Sequence, residues 1–242
     1  AIESGAQLEN LVQVEVKREA DLLEENLDAY DVVGLANVKQ ITEAEAKAIG
    51  SFVRRGGGLL LFAGSQMRVE SFNRWLGSEG EKILPLVLGE PMGEGVPSAS
   101  GHLFDPAEYA HPLVSDFRDN EQAGLVTTKI YRYLKGSLLP EAAGQPAAEV
   151  PLRYDTGDPA VVIAGSSGGT VAVVTTSADL DWNGWAISPS YLPIMQQLIR
   201  LLAGGKLRRP EVRAGEMVSL SLPDGTGEGE IAITRPARVP TS

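Results

Sequence analysis

The clearest pattern along the chain is a pair of apolar runs separated by an amphipathic segment. Residues 30–38 and 59–64 are almost continuously apolar, which is typical of strands that are buried on both faces. Between them, residues 42–55 repeat apolar side chains at helical spacing, and Thr42 with Glu45 fits a capping box at the helix start. The residues expected on the buried face of this helix are Ala44, Ala48, Ile49, Phe52 and Val53. Because a strand, a helix and a strand follow one another, we predict two neighbouring parallel strands joined by a crossover helix.

Two further segments show strand character, and an irregular stretch separates them. Residues 11–16 alternate apolar and polar side chains, which predicts a strand near the sheet edge with one face more buried than the other. Residues 127–134 are rich in aromatic and β-branched side chains and predict another strand. Residues 89–124 contain many Gly, Pro, Asp and Ser, so they predict an irregular excursion.

Three short β runs and a helix follow in the second half of the chain. The runs cover residues 149–154, 160–164 and 170–176, and the links between them are too short for crossover helices. These strands should therefore be antiparallel neighbours. Residues 188–203 predict an amphipathic helix that ends at the glycine pair 204–205. Its inward side chains are expected to be Tyr191, Ile194, Met195, Leu198 and Leu202.

Together these elements predict an α/β fold in which a parallel core is extended by antiparallel strands. After Pro210 the composition changes, and two alternating runs, residues 212–222 and 230–234, are joined by a Gly-rich stretch. This pattern predicts a C-terminal β-hairpin outside the main core. We therefore expect an α/β domain over residues 1–208, and a hairpin over residues 209–242 that begins a following β module.

Composition and charge narrow the range of functions. With 43% hydrophobic and 22% charged residues, the 242-residue chain has the composition of a globular protein. Its net charge of -11 opposes binding to phosphate backbones and to anionic lipid surfaces. We therefore expect neither a nucleic-acid partner nor direct membrane contact, and no apolar run approaches the roughly 20 residues that cross a bilayer. The chain begins at Ala1 rather than at a methionine, so we expect it to be a piece of a longer protein.

The absence of cysteine is the strongest chemical constraint. Without cysteine, the chain can form no disulfide, no thiolate nucleophile and no cysteine metal site. Its two histidines, His102 and His111, are too few for a multi-histidine metal site, and its acidic residues show no EF-hand spacing. The Gly-rich segments 56–58 and 165–169 do not open a helix, so they predict no phosphate site. The sequence therefore predicts no metal and no cofactor.

Ser65 lies where a hydrolase-like turn would place a nucleophile after a buried strand. A triad with His111 as the base can be drawn, but Gln66 and Met67 follow where such a turn requires small residues. The alternative is that Ser65 caps the helix that follows it and that His111 has a structural role. We favour the structural roles for both residues.

The densest polar and aromatic cluster is at residues 177–183, directly after a predicted strand. In open α/β sheets, ligands collect at the carboxyl ends of the strands, which brings this cluster into one neighbourhood with Asn37 and Ser65. One interpretation is a ligand-binding site. The other, which we favour, is that the acids stabilise turns and that the tryptophan closes the edge of the core. The candidate ligand-binding residues are Asn37, Ser65, His111, Asp179, Asp181 and Trp182.

Several segments in a fixed order resemble one group of bacterial proteins. The segments are residues 30–38, residues 52–60, His111-Pro112-Leu113 with Phe117-Arg118, Tyr131-Arg132-Tyr133, and residues 175–183 with the helix that contains Leu192-Pro193. They resemble the class I glutamine amidotransferase-like domain of large membrane-anchored proteins that are common in planctomycetes. Those proteins carry an N-terminal double-transmembrane segment of the aerotolerance-regulator type and often a von Willebrand A region. Trehalose-utilisation-type domains are similar in the Gly-rich strand entry and in the His-Pro-apolar step, and they are more distant.

This resemblance implies a flavodoxin-like sheet in a domain that has lost the Cys-His-Glu triad of active amidotransferases. In relatives a strand precedes the region of Ala1 and Ile2, so we expect the sheet to lack that first strand. The resemblance also implies a non-catalytic interaction or scaffold domain on the periplasmic side of a membrane. Its partners are then other domains of the parent protein or membrane-associated proteins. The alternative is a hydrolase-like or sugar-binding enzyme that uses Asp179, Asp181 or His111 on a small polar ligand.

Overall fold

The computed structural model describes residues 12–95, 101–106, 109–140, 147–166 and 168–207. These residues belong to the first of the two units into which the chain divides, Ala1–Arg209. The predicted hairpin at residues 209–242 lies outside the described residues, so the hairpin and its domain boundary stay predictions.

The described elements include both strands and helices. The strands are β1 (Val32–Ala36), β2 (Gly58–Phe62), β3 (Leu86–Gly93), β4 (Phe104–Asp105), β5 (Arg132–Leu138), β6 (Glu149–Tyr154), β7 (Pro159–Ser166) and β8 (Gly169–Val174). The strands β5 to β8 follow one another without a described helix between them. The helices are α1 (Glu43–Arg54), α2 (Val69–Phe72), α3 (Pro112–Ser115) and α4 (Tyr191–Leu207). A π-helical segment at Asn73–Ser78 continues α2, and short 3₁₀ turns lie at Glu19–Asp21, Leu27–Ala29, Glu121–Ala123 and Trp185–Ile187.

One six-stranded sheet, in the order β1-β2-β8-β7-β6-β4, forms the centre of the described part. β1, β2 and β8 run parallel, whereas β7 is antiparallel to both of its neighbours and β4 is antiparallel to β6. The parallel β1–β2 pair and the antiparallel β6–β7–β8 arrangement confirm both predictions of strand pairing. β3 and β5 form a separate antiparallel pair, with a register shift between Leu88 and Pro91. The predicted α/β fold class is confirmed.

Helix α1 forms where the sequence predicts it because its first turn satisfies its own donors. The Glu45 N–H donates to the Thr42 hydroxyl at 3.3 Å, and the Thr42 N–H donates to the Glu45 carboxylate at 2.7 Å. The buried residues of the helix are Ala46, Ile49, Gly50, Phe52 and Val53. The prediction that Ala44 faces inward is wrong, because Ala44 lies two positions, or about 200° around the helix, from Ala46.

Strand β2 lies at the centre of the core and is buried along its whole length. Its side chains alternate between two apolar clusters, with Leu59 and Leu61 on the face that α1 covers and the others on the face that α4 covers. Helix α4 approaches so closely that a side chain at Gly58 would meet the backbone oxygen of Leu202 at 2.7 Å. A glycine is therefore required at the start of β2 for the helix and the sheet to pack.

The strand predicted at residues 11–16 is wrong for the part that the structure describes. Residues 12–18 form neither a helix nor a strand, and Val14 and Val16 are 72% and 91% exposed. An alternating pattern becomes a strand only where a second strand pairs with it and a core covers its apolar side. Within the described ranges, residues 12–16 have neither the partner strand nor the cover.

Two further elements are present, but their boundaries differ from those predicted. The strand predicted at residues 127–134 begins only at Arg132 and continues to Leu138, because its partner is β3 rather than a strand of the main sheet. Helix α4 does not end at the glycine pair 204–205 but continues to Leu207. Glycine weakens a helix by about 1 kcal/mol relative to alanine and does not end it unaided.

We predict that the backbone amides of residues 59–62 exchange with solvent among the slowest in the protein. β2 is hydrogen-bonded to a strand on each side and buried on both faces, so these amides open only when the core opens. Hydrogen exchange followed by NMR measures this, and the exposed residues 12–18 serve as the internal control that should exchange rapidly. Rapid exchange throughout residues 59–62 would contradict the assignment of β2 as the core strand.

Candidate functional site

The carboxyl ends of β1, β2 and β8 lie at one edge of the sheet, because the three strands run parallel. β6 points in the same direction, since β6 is antiparallel to β7 and β7 is antiparallel to β8. The segments that follow these four strands therefore meet along one edge. We call this the carboxyl edge, and it comprises residues 37–38, 63–67, 155–158 and 175–183. In open α/β sheets, it is the usual place for a ligand.

Asn37 holds the turn that follows β2. Its backbone has the left-handed conformation, with a φ of 51°, which asparagine adopts more readily than most residues. Its side-chain oxygen accepts a hydrogen bond from the Gln66 N–H at 2.9 Å, and its own N–H donates to the Phe62 oxygen at 3.4 Å. A side chain at Gly64 would overlap the Asn37 side chain. The structure therefore brings Asn37 next to the turn that contains Ser65 and uses the Asn37 side chain to hold that turn.

Ser65 lies in this turn, which is closed by a hydrogen bond from the Met67 N–H to the Gly64 oxygen at 3.2 Å. The Ser65 side chain is exposed, and its hydroxyl makes no hydrogen bond with any residue that the structure describes. The expectation that Ser65 caps the next helix is wrong, because α2 begins at Val69 with Arg68 as its N-cap. Among the described residues, Ser65 therefore has neither a general base nor a capping role.

His111 does not lie at the carboxyl edge. It is the N-cap of α3, where its Nδ1 atom accepts a hydrogen bond from the Leu113 N–H at 3.0 Å. Its Nε2 atom is 2.9 Å from the carboxylate of Glu149, the first residue of β6, so the pair lies at the amino end of that strand. With Nδ1 accepting, Nε2 carries the proton and donates to Glu149. The structure thus separates His111 from the other predicted site residues and uses it to begin α3.

The loop after β8 is closed by its own polar groups. The Asp181 N–H donates to Asp179 Oδ1 at 3.0 Å, and the Ser177 hydroxyl donates to the Asp179 backbone oxygen at 3.1 Å. The Ser177 hydroxyl also accepts a hydrogen bond from the Trp182 N–H at 3.2 Å. Both aspartates are exposed, and the Asp179 side chain is used to form the turn.

Asn183, which the sequence analysis does not single out, organises this loop from the inside. Asn183 is 1% exposed, and its side-chain amide donates to the Thr176 hydroxyl at 3.1 Å and to the Ser177 backbone oxygen at 2.8 Å. Its side-chain oxygen accepts a hydrogen bond from the Trp185 N–H at 2.8 Å. A buried amide is costly unless its groups are paired, and here both its ends are. The only sequence signal is its place in a polar run after a strand, which an exposed loop shares.

Trp182 is 4% exposed and belongs to the apolar cluster on the face of the sheet that α1 covers. Its backbone oxygen accepts hydrogen bonds from the N–H groups of Tyr131 at 2.7 Å and Arg132 at 3.0 Å. The Arg132 guanidinium lies 5.4 Å from the centre of the indole ring. Helix α4 covers the other face of the sheet, so Trp182 packs on the side that α1 covers.

A second polar and aromatic group lies at the carboxyl edge, and the sequence analysis misses it. Tyr133 and Tyr154 stack with their ring centres 3.9 Å apart. The Tyr133 hydroxyl donates to the Asp158 carboxylate at 2.8 Å and lies 2.8 Å from the Thr156 hydroxyl. The Tyr154 hydroxyl lies 2.8 Å from the Thr175 hydroxyl. We call these five residues the tyrosine cluster.

His102 borders the tyrosine cluster. Its ring meets the edge of the Tyr133 ring with 5.2 Å between centres, and its Nδ1 atom is 3.0 Å from the Asp155 carboxylate. Asp155 also accepts a hydrogen bond from the Leu103 N–H at 3.2 Å. A histidine, a carboxylate and a phenol side by side is a combination that acid–base sites use. The sequence signal is the turn with an aspartate at each end after β6, which the sequence analysis interprets only as a link.

The protonation of the tyrosines decides what this group can do. Burial, together with the neighbouring Asp158 carboxylate, raises the pKa of Tyr133 to about 12. Burial also raises the pKa of Tyr154 far above its ordinary value. Both phenols therefore remain protonated near neutral pH and donate hydrogen bonds rather than act as bases. Thr175 in turn donates to the Pro159 oxygen at 2.8 Å, so the cluster ties the turn after β6 to the sheet.

Two concavities of the described part lie away from these residues. A groove of about 320 Å³ lies near the ends of β3, β5 and β7 and is lined mainly by apolar residues, among them Leu86, Val87 and Leu139. A smaller hollow of about 160 Å³ lies beside α1. Neither is lined by a predicted site residue or by the tyrosine cluster. Within the described ranges, no three His, Asp or Glu side chains are arranged to hold a metal ion, and no helix is long and apolar enough to cross a membrane.

We predict that Trp182→Ala lowers the free energy of unfolding by about 3 kcal/mol or more, as the truncation of a buried large aromatic does. Urea denaturation measures this change. The matched control is Ile187→Ala, because Ile187 is 76% exposed and its truncation should change stability by less than about 0.5 kcal/mol. If Trp182→Ala kept the stability of the parent, the indole ring would be free for another role and its assignment to the core would be wrong.

We predict a loss of stability as the pH rises from about 10 to about 12. The Tyr133 phenol has a pKa near 10 in the unfolded chain and about 12 in the folded protein, so folding favours its protonated form. That contribution is complete below pH 10 and disappears as the pH passes about 12.

The matched variants Tyr133→Phe and Tyr131→Phe test this assignment in urea unfolding at about pH 9 and about pH 11.5. Tyr133→Phe should lose less stability between the two pH values than the parent, because the shifted phenol is gone. Tyr131→Phe should keep the full loss, since the Tyr131 hydroxyl makes no hydrogen bond with a described residue. An equal pH dependence in both variants would show that Tyr133 is not the responsible group.

No family profile and no curated protein sequence matches the chain, but solved structures do. The cytoplasmic protein STM3548 from Salmonella typhimurium is 18% identical, with a TM-score of 0.57 over 74% of each chain. The cytoplasmic protein STM1381 from Salmonella typhimurium LT2 is 15% identical, with a TM-score of 0.51 over 71% of this chain and 73% of that one. A cold-adapted β-galactosidase from Rahnella sp. R3 is 16% identical, with a TM-score of 0.48 over 74% of this chain and 24% of the enzyme. At these identities the two Salmonella proteins show that the α/β fold is shared, and the function has to be argued from the residues.

Proposed function

We propose that the described domain is a non-catalytic interaction domain, built on an amidotransferase-like scaffold without its triad, in a membrane-anchored bacterial protein. We place it on the periplasmic side, where its partners are other domains of the same protein or membrane-associated proteins. One observation carries this proposal: side chains that would form a ligand site are instead used in the fold. Asn37 and Asp179 hold turns, His111 caps a helix and Trp182 lies in the core.

The lack of an activated nucleophile supports the proposal. Amidotransferase chemistry needs a thiolate, and the chain contains no cysteine. Ser65 has no base among the described residues, because neither histidine contacts its hydroxyl: His102 lies against Asp155 and His111 against Glu149. Nucleophilic catalysis through the turn after β2 therefore lacks its second component.

The location of the larger groove supports the proposal as well. Small-molecule sites are concave, with a few polar groups that converge on the ligand. Here the larger groove is mainly apolar, and it lies near Gly165, which pairs with Thr170 at the start of β8. That is the end of the sheet opposite the carboxyl edge. In this domain, the polar groups of the carboxyl edge form hydrogen bonds within the fold. Such a scaffold is suited to contacts with another protein surface.

We expect the protein to release no ammonia from glutamine and no nitrophenol from p-nitrophenyl glycosides above a heat-inactivated control. We also expect trehalose, glucose and galactose to leave the melting temperature unchanged. A sugar at ten times its Kd would stabilise the fold by about 1.4 kcal/mol, which corresponds to a rise of roughly 3 to 6 °C in a protein of this size. Differential scanning fluorimetry resolves such a rise easily.

The opposite outcome would favour the sugar-binding enzyme. That outcome is either substrate turnover or a sugar-induced rise in melting temperature. The double variant Asp179→Asn and Asp181→Asn should abolish it, and without sugar this variant should melt at the same temperature as the parent. Asparagine keeps the acceptor that Asp179 offers to the Asp181 N–H, so the turn should survive. The matched control is Glu70→Gln with Glu90→Gln, which neutralises two exposed acids outside the carboxyl edge.

A further inference from the structure

Strand β1 is the outer strand of the six-stranded sheet within the described part, where it pairs only with β2. Two hydrogen bonds fix which of its backbone groups face β2. The Gly58 N–H donates to the Asp31 oxygen at 2.9 Å, and the Asn37 N–H donates to the Phe62 oxygen at 3.4 Å. In a parallel pair, alternate residues direct their backbone groups to the partner, so residues 33 and 35 also face β2.

The intervening residues of β1 therefore direct their N–H and C=O groups away from β2. These residues are Val32, Gly34 and Ala36. No described residue bonds to this outward row. A side chain added at Gly34 would have open space around it, and both Gly34 and Ala36 are exposed. We call the row the open edge.

The open edge lacks four of the features by which proteins protect sheet edges. Those features are charged residues, prolines, bulges and very short strands. β1 is five uncharged residues without proline, and its register with β2 is continuous. The opposite edge of the sheet, by contrast, is β4, which has only two residues. The described sheet thus protects one edge and leaves the other able to pair.

A second segment runs beside the open edge and is held there by side chains. Just before β1, the Tyr30 hydroxyl donates to the Glu15 carboxylate at 3.1 Å. Just after β1, the Lys39 N–H lies 3.5 Å from the Glu19 carboxylate. Within the described ranges no backbone-to-backbone hydrogen bond joins residues 12–17 to β1. The segment therefore stays near both ends of the strand without pairing with it.

We propose that the open edge accepts an extended strand from a partner polypeptide, inserted beside β1 and covering the exposed Val14 and Val16. This inference rests on the proposed function as an interaction domain and names the surface and the partner. The incoming backbone pairs with the outward groups of Val32, Gly34 and Ala36. Strand addition to a sheet edge is a known mode of peptide recognition, in which backbone hydrogen bonds supply the affinity.

The surroundings define the chemistry of the incoming strand. Its middle lies against the uncharged side chains of β1 and of Val14 and Val16, so uncharged β-branched residues fit there. Glu15 lies near the start of β1, through its contact with Tyr30, and Glu19 lies near the end, through its contact with the Lys39 N–H. Charge complementarity therefore favours lysine or arginine at the two ends of the partner strand.

The test uses the full chain and the peptide Lys-Lys-Val-Thr-Val-Thr-Val-Lys-Lys as the probe. On saturation, NMR hydrogen exchange should show the amides of Gly34 and Ala36 slowed by about tenfold or more. The amides of residues 33 and 35 should not change, because they already bond to β2. The control peptide has proline at its central position, which removes a donor from the new ladder, and it should not protect these amides.

A pair of variants tests the same edge by affinity. Gly34→Pro removes one outward donor and none of the donors that face β2, so it should weaken peptide binding by about tenfold or more. Gly34→Ala keeps the donor and has room for its methyl group, so it should bind like the parent. Slow exchange of residues 59–62 in both variants shows that the core is intact.

Three results would overturn the proposal. Amides of Gly34 and Ala36 that are slow before the peptide is added would show that the chain itself covers the edge. Protection that grows with protein concentration alone would show that two copies pair there. Unchanged exchange in the presence of the peptide would show that the edge accepts no strand of this chemistry. These results leave the proposed function intact, whereas turnover or sugar binding would contradict that function whatever the edge does.

Discussion

The burial of β2 between α1 and α4 is the constraint on which the rest of the structure depends. β2 is the strand through which β1 and β8 join one parallel sheet, and both of its faces are covered. The cover is close because glycines stand where side chains would collide. Gly58 leaves room for α4, and Gly169 at the start of β8 leaves room for the backbone at Gly57 and Val53. With these contacts in place, the direction of three strands and the position of the carboxyl edge follow.

The carboxyl edge shows how a ligand-binding position can be used for stability. Buried polar groups cost roughly 1 to 3 kcal/mol each when they lack a partner, so an edge without a ligand has to pair its groups internally. Asn183, the tyrosine cluster and Asn37 do this for the segments after β8, β6 and β1. In the backbone of β1, by contrast, the outward groups make no hydrogen bond with a described residue. The polar groups of the carboxyl edge are paired within the fold, whereas the backbone groups of the open edge are not paired with described residues. This difference favours binding of a strand over chemistry on a small molecule.

Elements whose signals are local could be predicted from the sequence. The capping box at Thr42 decides where its helix begins because capping depends only on neighbouring residues. The apolar run of β2 is recognisable because a strand that is apolar on both faces is stable only where both faces are covered. The short links on either side of β7 also determine antiparallel pairing, since no crossover fits in them. The alternating residues 12–16 fail for the converse reason. Their pattern is as clear as that of a true strand, but pairing is a non-local condition that the described structure does not meet.

The candidate site, like the fold, could be predicted from the sequence only in part. The sequence by itself determined that no thiol chemistry is possible, and it predicted that Asn37 and Ser65 follow two parallel strands. The parallel pairing of β8 with β2, which brings the loop after β8 to the same edge, came from the structure. Only the tertiary structure decided that His111 lies at the amino end of β6, away from them. It also decided that Tyr133 and Tyr154, from strands of different sheets, stack against each other. The physical reason is that the sequence gives the type and order of residues directly. Which distant segments lie close together depends on which strands pair and on which faces the helices cover.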